Sequence, residues 1–148
     1  FAVGLEIKNL CANYIACDVV EQLITFNKEK FKEIKVDFRV LDITSDDLPD
    51  GQVVFIRQVF QHLSNKMIMA VLHKLQKYRY IVLTEHLPAA VNFDANIDIP
   101  VGLGIRLSLG SGVVLTREPF NFIPVKETVL CEVEEEGGLI RTILYETH

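Results

Sequence analysis

The stretch Val53–Pro88, VVFIRQVFQHLSNKMIMAVLHKLQKYRYIVLTEHLP, decides the fold. It opens with an apolar run, Val53 to Phe60, broken only by Arg57 and Gln58, which reads as a strand buried on both faces. Ser64 then stands where a helix N-cap belongs, ahead of Met67, Ile68, Val71, Leu72 and Leu75, which form one stripe at helical spacing. Tyr78 to Leu83 (YRYIVL) is the next strand, closing on Thr84, Glu85 and His86. Continuous apolar strands joined through a one-sided helix call for a parallel sheet covered by helices, and right-handed crossovers fix its winding.

The same rhythm extends upstream. Tyr14 to Asp18 (YIACD) is a short strand ending in an acid, followed by Val20, Leu23, Ile24 and Phe31 on an amphipathic helix. Val36 to Ile43 (VDFRVLDI) alternates and then turns apolar, as a strand does on entering a sheet interior, with Asp42 near its end. The turn formers of SDDLPDG, Ser45 to Gly51, reverse the chain. Downstream, Asn92 to Asn121 is punctuated by Pro and Gly, and residues 89–121 read as an insertion or lid. Thr128 to Glu134 and Leu139 to Thr147 flank an acidic Gly-Gly turn and form an antiparallel hairpin. The acidic run Glu132 to Glu136 suits a solvated hairpin edge that discourages edge pairing.

A chain of 148 residues, 49% hydrophobic and 24% charged, suits one compact soluble domain over 1–148 and excludes a disordered or fibrous chain. The net charge of -5 argues against nucleic-acid partners. No apolar stretch reaches the roughly 18 residues that a bilayer requires, and no charged leader precedes an apolar run, so neither a membrane span nor export is expected. Cys11, Cys17 and Cys131 are odd in number and widely spaced, and read as reduced thiols of a cytoplasmic protein.

In an open parallel sheet, ligands bind beyond the carboxyl ends of the strands. Those ends carry Asp18, Asp42, Arg57 with Gln58, and Glu85 with His86. An acid ending a strand accepts hydrogen bonds from the vicinal hydroxyls of a ribose, although solvent satisfies it as easily. Taken in order, CDVVEQL, FRVLDIT, VVFIRQVFQHLSN, IVLTEHLP and the closing hairpin resemble a class I S-adenosylmethionine-dependent methyltransferase, over nearly the whole chain.

The resemblance implies a Rossmann-like α/β fold, with a mostly parallel twisted sheet, helices on both faces and a C-terminal antiparallel hairpin. It implies S-adenosylmethionine as cofactor, with Asp18 on the ribose, Val19 beside the adenine, Asp42 and Ile43 at the adenine edge, and Arg57 and Gln58 lining the methionine side. The family's first strand and glycine-rich turn have no counterpart. FAVGLEIKN, Phe1 to Asn9, looks like the helix that follows that turn. The 148 residues are therefore expected to be part of a chain of about 190 to 210 residues, within the usual domain range. Alternatively Phe1 to Ile7 becomes the central strand, or another chain supplies it.

Methyl transfer from a sulfonium needs donor and acceptor held in line, and a base only where the acceptor must lose a proton. His62 is a candidate for that base or for orienting the substrate, against a local packing role. Glu85 and His86 are placed to position an acceptor hydroxyl or amine, against a structural role in the turn before Pro88. Arg106, in GLGIRLSLGSGV, is a candidate anchor for an anionic acceptor, since guanidinium pairs bidentately with carboxylate or phosphate, against a solvated role. GLG and GSG neither follow a strand nor open a helix, and read as flexible loop points. No metal site is expected. A small-molecule acceptor follows by elimination; the alternative function is a non-catalytic methyltransferase-like interaction module.

Overall fold

The computed structural model describes residues 2–148, which form two compact units, one up to Pro49 and one from Asp50 to His148. The first comprises α1 (Ala2–Ile7), a 3-10 turn at Lys8–Leu10, β1 (Ile15–Asp18), α2 (Glu21–Lys30) and β2 (Asp37–Val40). Phe1 lies outside the described residues, but Ala2 to Ile7 is helical, so the alternative of a strand there is not realised. β1 and β2 pair in parallel from Ile15 with Asp37 to Asp18 with Val40, with α2 as their crossover. Ile24 of α2 and Phe38 of β2 are buried, and Phe31 stacks on Phe38 at 6.3 Å between ring centroids. β2 is shorter than the expected Val36 to Ile43. The chain turns at Asp42, whose Oδ1 accepts the backbone N–H and the hydroxyl of Thr44, each within 2.8 Å.

The second unit contains β3 (Val53–Arg57), a 3-10 turn at Phe60–His62, α3 (Asn65–Leu75), β4 (Tyr80–Pro88), a 3-10 turn at Arg106–Leu109, β5 (Lys126–Glu135) and β6 (Gly138–Glu146). Its sheet has the order β3-β4-β6-β5; β3 and β4 are parallel, and β6 runs antiparallel to both of its neighbours. Among the described residues β1 has one strand neighbour, β2, and β3 has one, β4. Ser64 caps α3 as the sequence predicts, accepting the Met67 N–H. The stripe Ile68, Val71, Leu72 and Leu75 is buried with Ile56, Ile81, Leu83, Ile143 and Tyr145, from β3, β4 and β6. Burying each large aliphatic side chain contributes about 1.5–3 kcal/mol, so this layer is the main source of the unit's stability.

Two strand ends differ from the sequence reading. β3 stops at Arg57 instead of Phe60 because Gln58 adopts a left-handed backbone, φ 53°. β4 runs on to Pro88 because β6 pairs with it along its length, from Tyr80 with Glu146 to Pro88 with Gly138. Glu85 and His86 therefore lie inside a strand, not at its tip, and successive side chains there point to opposite faces.

The GSG sequence is not a flexible point either. Gly110 takes φ 63° to end the 3-10 turn, and a Cβ at Gly112 would lie 3.3 Å from the Leu87 Cα. Gly138 sits against the Leu87 carbonyl with no room for a Cβ. Gly138→Ala is accordingly expected to lower stability by roughly 1–3 kcal/mol in denaturant melts, because backbone must move to admit the methyl group. Gly104→Ala, at a loop position with open space around it, is expected to leave stability unchanged.

Candidate functional site

In the first unit the two acids expected to hold a nucleoside end neighbouring parallel strands. The Asp18 carbonyl accepts the Leu41 N–H at 3.0 Å, so the two chains still run side by side one residue short of Asp42. Asp18 is half-buried; its Oδ1 accepts the Val20 N–H at 2.9 Å, which turns the chain into α2 and leaves Oδ2 without a donor among the described residues. Val19, Val20 and Val40 stand exposed around this tip, at 60%, 47% and 52%. A carboxylate oxygen beside exposed apolar surface suits the hydroxyls and base of an adenosine. Ile43 is half-buried. Within the first unit the fit is to the nucleoside part of S-adenosylmethionine.

In the second unit Arg57 is exposed and Gln58 half-buried, with the Gln58 N–H donating to Thr84 O at 2.7 Å. A left-handed non-glycine residue at a strand tip is strained, and such strain clusters at functional sites. His62 is half-buried, and both of its ring nitrogens have protein partners: Nδ1 lies 3.2 Å from Gly102 O and Nε2 lies 3.2 Å from Gln61 Nε2. A carbonyl only accepts, so Nδ1 carries the proton and Nε2 takes an N–H from the Gln61 amide. Acid–base work at Nε2 thus requires that amide to turn away.

Glu85 and Arg106 are committed differently from the sequence reading. Glu85 is 2% exposed; its two oxygens accept the N–H groups of Phe60 and Gln61, both at 3.0 Å. Burial pushes its carboxyl up to about 8, against the opposing pull of those backbone bonds and of the Arg106 charge. Arg106, 1% exposed, donates to Phe60 O at 3.0 Å, Leu63 O at 2.7 Å, Asn65 Oδ1 at 2.8 Å and Ile97 O at 2.9 Å. With these donors spent on protein acceptors, the geometry gives Arg106 a clamping role in place of the expected anion contact. Glu85 likewise caps the 3-10 turn instead of facing an acceptor. His86 points to the other face of β4, half-buried, and its Nε2 is buried without a partner among the described residues.

Three residues the sequence reading passed over belong to this network. Gln61, 7% exposed, abuts His62, and its Oε1 has no partner. Asn65 joins Arg106 to the Asn96 carbonyl. Asn96, buried at φ 61°, bonds the N–H and carbonyl of Val114 and the carbonyl of Glu118 through its side-chain amide. Only Asn96 carried a signal, since asparagine tolerates the left-handed region. Among the described residues no group of His, Cys, Asp and Glu is placed to hold a metal ion, and no helix is long and apolar enough to cross a membrane.

No family model and no curated protein matches the sequence. Solved structures do match in fold. The N-terminal domain of EvdMO1, crystallised with S-adenosylhomocysteine and D-fucose, aligns at TM-score 0.61 and 15% identity over 92% of this chain and 66% of that one. Human N-acetylserotonin methyltransferase in complex with S-adenosylmethionine aligns at 0.64 and 13% identity, over 99% of this chain and 44% of its own. Magnesium protoporphyrin IX methyltransferase of Synechocystis PCC 6803, with bound S-adenosylhomocysteine, aligns at 0.61 and 12% identity, over 99% and 69%. The chain thus spans about two thirds or less of the length of the first two. The likeness is one of fold: the chain has the Rossmann-like fold of class I S-adenosylmethionine-dependent methyltransferases.

Burial of Glu85 gives a pH signature with a definite sign. Its folded value, about 8, lies above the ordinary 4.5, so the folded state holds a proton that the unfolded chain releases. The resulting stability is full below pH 4.5 and is lost as pH rises to about 8, at up to about 1.4 kcal/mol per pH unit. Denaturant melts of Glu85→Gln across this range are expected to lack that part of the slope.

Proposed function

We propose that this chain is the core of an S-adenosylmethionine-dependent methyltransferase acting on a small-molecule acceptor. The observation that carries the reading is the pair of acids at the ends of adjacent parallel strands, Asp18 and Asp42, in a fold whose solved neighbours hold S-adenosylmethionine or its product. Asp18 binds the ribose hydroxyls through Oδ2, Val19 and Ile43 pack on the adenine, and Asp42 holds its edge. Bound S-adenosylmethionine supplies the methyl group from its sulfonium. Gln58, held in its strained conformation at the tip of β3, and the exposed Arg57 beside it serve the methionine side.

His62 Nε2 would take the acceptor's proton once the Gln61 amide has turned away. His86 lines the acceptor side, while Glu85 and Arg106 hold the turn without touching the acceptor. D-fucose in the EvdMO1 structure and the porphyrin in the name of the Synechocystis enzyme support a small molecule as acceptor. A cytoplasmic setting suits three cysteines that are all free thiols.

Calorimetric titration with S-adenosylhomocysteine is the test. The protein is expected to bind it, and Asp18→Ala to weaken binding by about 1–3 kcal/mol through loss of the carboxylate hydrogen bonds. Absence of heat at millimolar ligand would overturn the enzymatic reading in favour of a non-catalytic interaction module.

A further inference from the structure

The backbone around His62 is gripped from both polar sides. Glu85 takes the N–H groups of Phe60 and Gln61, and Arg106 takes the carbonyls of Phe60 and Leu63. The residue between, His62, is bonded to the loop tip twice: the Gly102 N–H donates to His62 O at 3.3 Å, and the ring Nδ1 lies 3.2 Å from Gly102 O. Arg106 links these features. Besides the turn it holds Ile97 O, in the segment leading to Gly102, and Asn65 Oδ1 at the start of α3. A planar guanidinium presents its donors in a rigid fork, so one side chain fixes the loop and the turn in a single relative placement.

We propose that Arg106 and Glu85 are positioning residues for His62: by setting the Phe60–His62 turn against the Gly102 loop they hold the imidazole in its Nδ1–H tautomer, with Nε2 as the acceptor nitrogen. Which nitrogen of a histidine is protonated is decided by the bond the other nitrogen makes. Here the Gly102 carbonyl decides it, and the distance to that carbonyl is set by the clamp. The consequence for methyl transfer rests on the role given to His62 above: a ring held this way keeps its lone pair for the acceptor's proton. The tautomer itself does not rest on that role.

The test is nitrogen-15 NMR of the imidazole rings in the full chain at neutral pH, with His62→Ala to assign the signals. Wild type is expected to show His62 as the Nδ1–H form. Arg106→Lys, which keeps the charge but not the fork, is expected to shift His62 towards a mixture of tautomers while the other imidazoles stay unchanged. Asn65→Ala, which removes only one Arg106 acceptor, is expected to shift it in the same direction by less, and it decides the question should Arg106→Lys not fold. An Nε2–H ring in wild type, or an unchanged His62 in the folded variants, overturns the proposal. Failure of S-adenosylhomocysteine to bind would leave a positive tautomer result standing, so the two readings fail separately.

Discussion

Phe60 is fully buried, yet it carries a backbone N–H and a carbonyl that no sheet ladder pairs. Left unpaired in the interior, each group would cost about 1–3 kcal/mol. Two buried side chains and the turn resolve this: the N–H goes to Glu85, and the carbonyl accepts from Arg106 and from the Leu63 N–H. Much of the second unit follows from that arrangement. The chain can leave β3 early, cross the core as a 3-10 turn and still enter α3 at the Ser64 cap. Removing Glu85 would leave the Phe60 and Gln61 N–H groups buried without an acceptor, and removing Arg106 would take the donor from Leu63 O, which makes the two side chains necessary without making them a large net source of stability.

The segment after β4 takes its order from the same network. The segment buries Val113 and Leu115, and polar side chains hold its backbone. Asn96 serves one end through Val114 and Glu118, Ser111 accepts the Ile97 N–H, and Arg106 ties the middle to the turn. The tip is different: Leu103 is 99% exposed, and Gly102 and Gly104 have open space around them. The polar ties thus hold the body of this segment, and its exposed tip lies next to His62.

Much of the fold was legible in the sequence because its signals are local. The stripe on α3, the Ser64 cap, the acids at Asp18 and Asp42, and the Gly-Gly hairpin each depend on neighbours a few residues away. Strand ends were harder. β4 could not be seen to continue past Leu83, since what extends it is pairing with β6, some 60 positions later. The centre of the candidate site was misread for the same reason. Glu85 and Arg106 have the composition of reactive groups, but their partners lie 25 and 46 residues away, and only the folded chain shows that those partners are backbone.

Amide hydrogen exchange at Phe60 and Gln61 tests the buried clamp most directly. If Glu85 holds both N–H groups inside the core, they exchange as slowly as the paired amides of Ile81 and Leu83, through opening of the whole unit. Exchange as fast as that of the exposed tip around Leu103 would contradict the account, because a turn that opens so readily is not fixed by the two side chains.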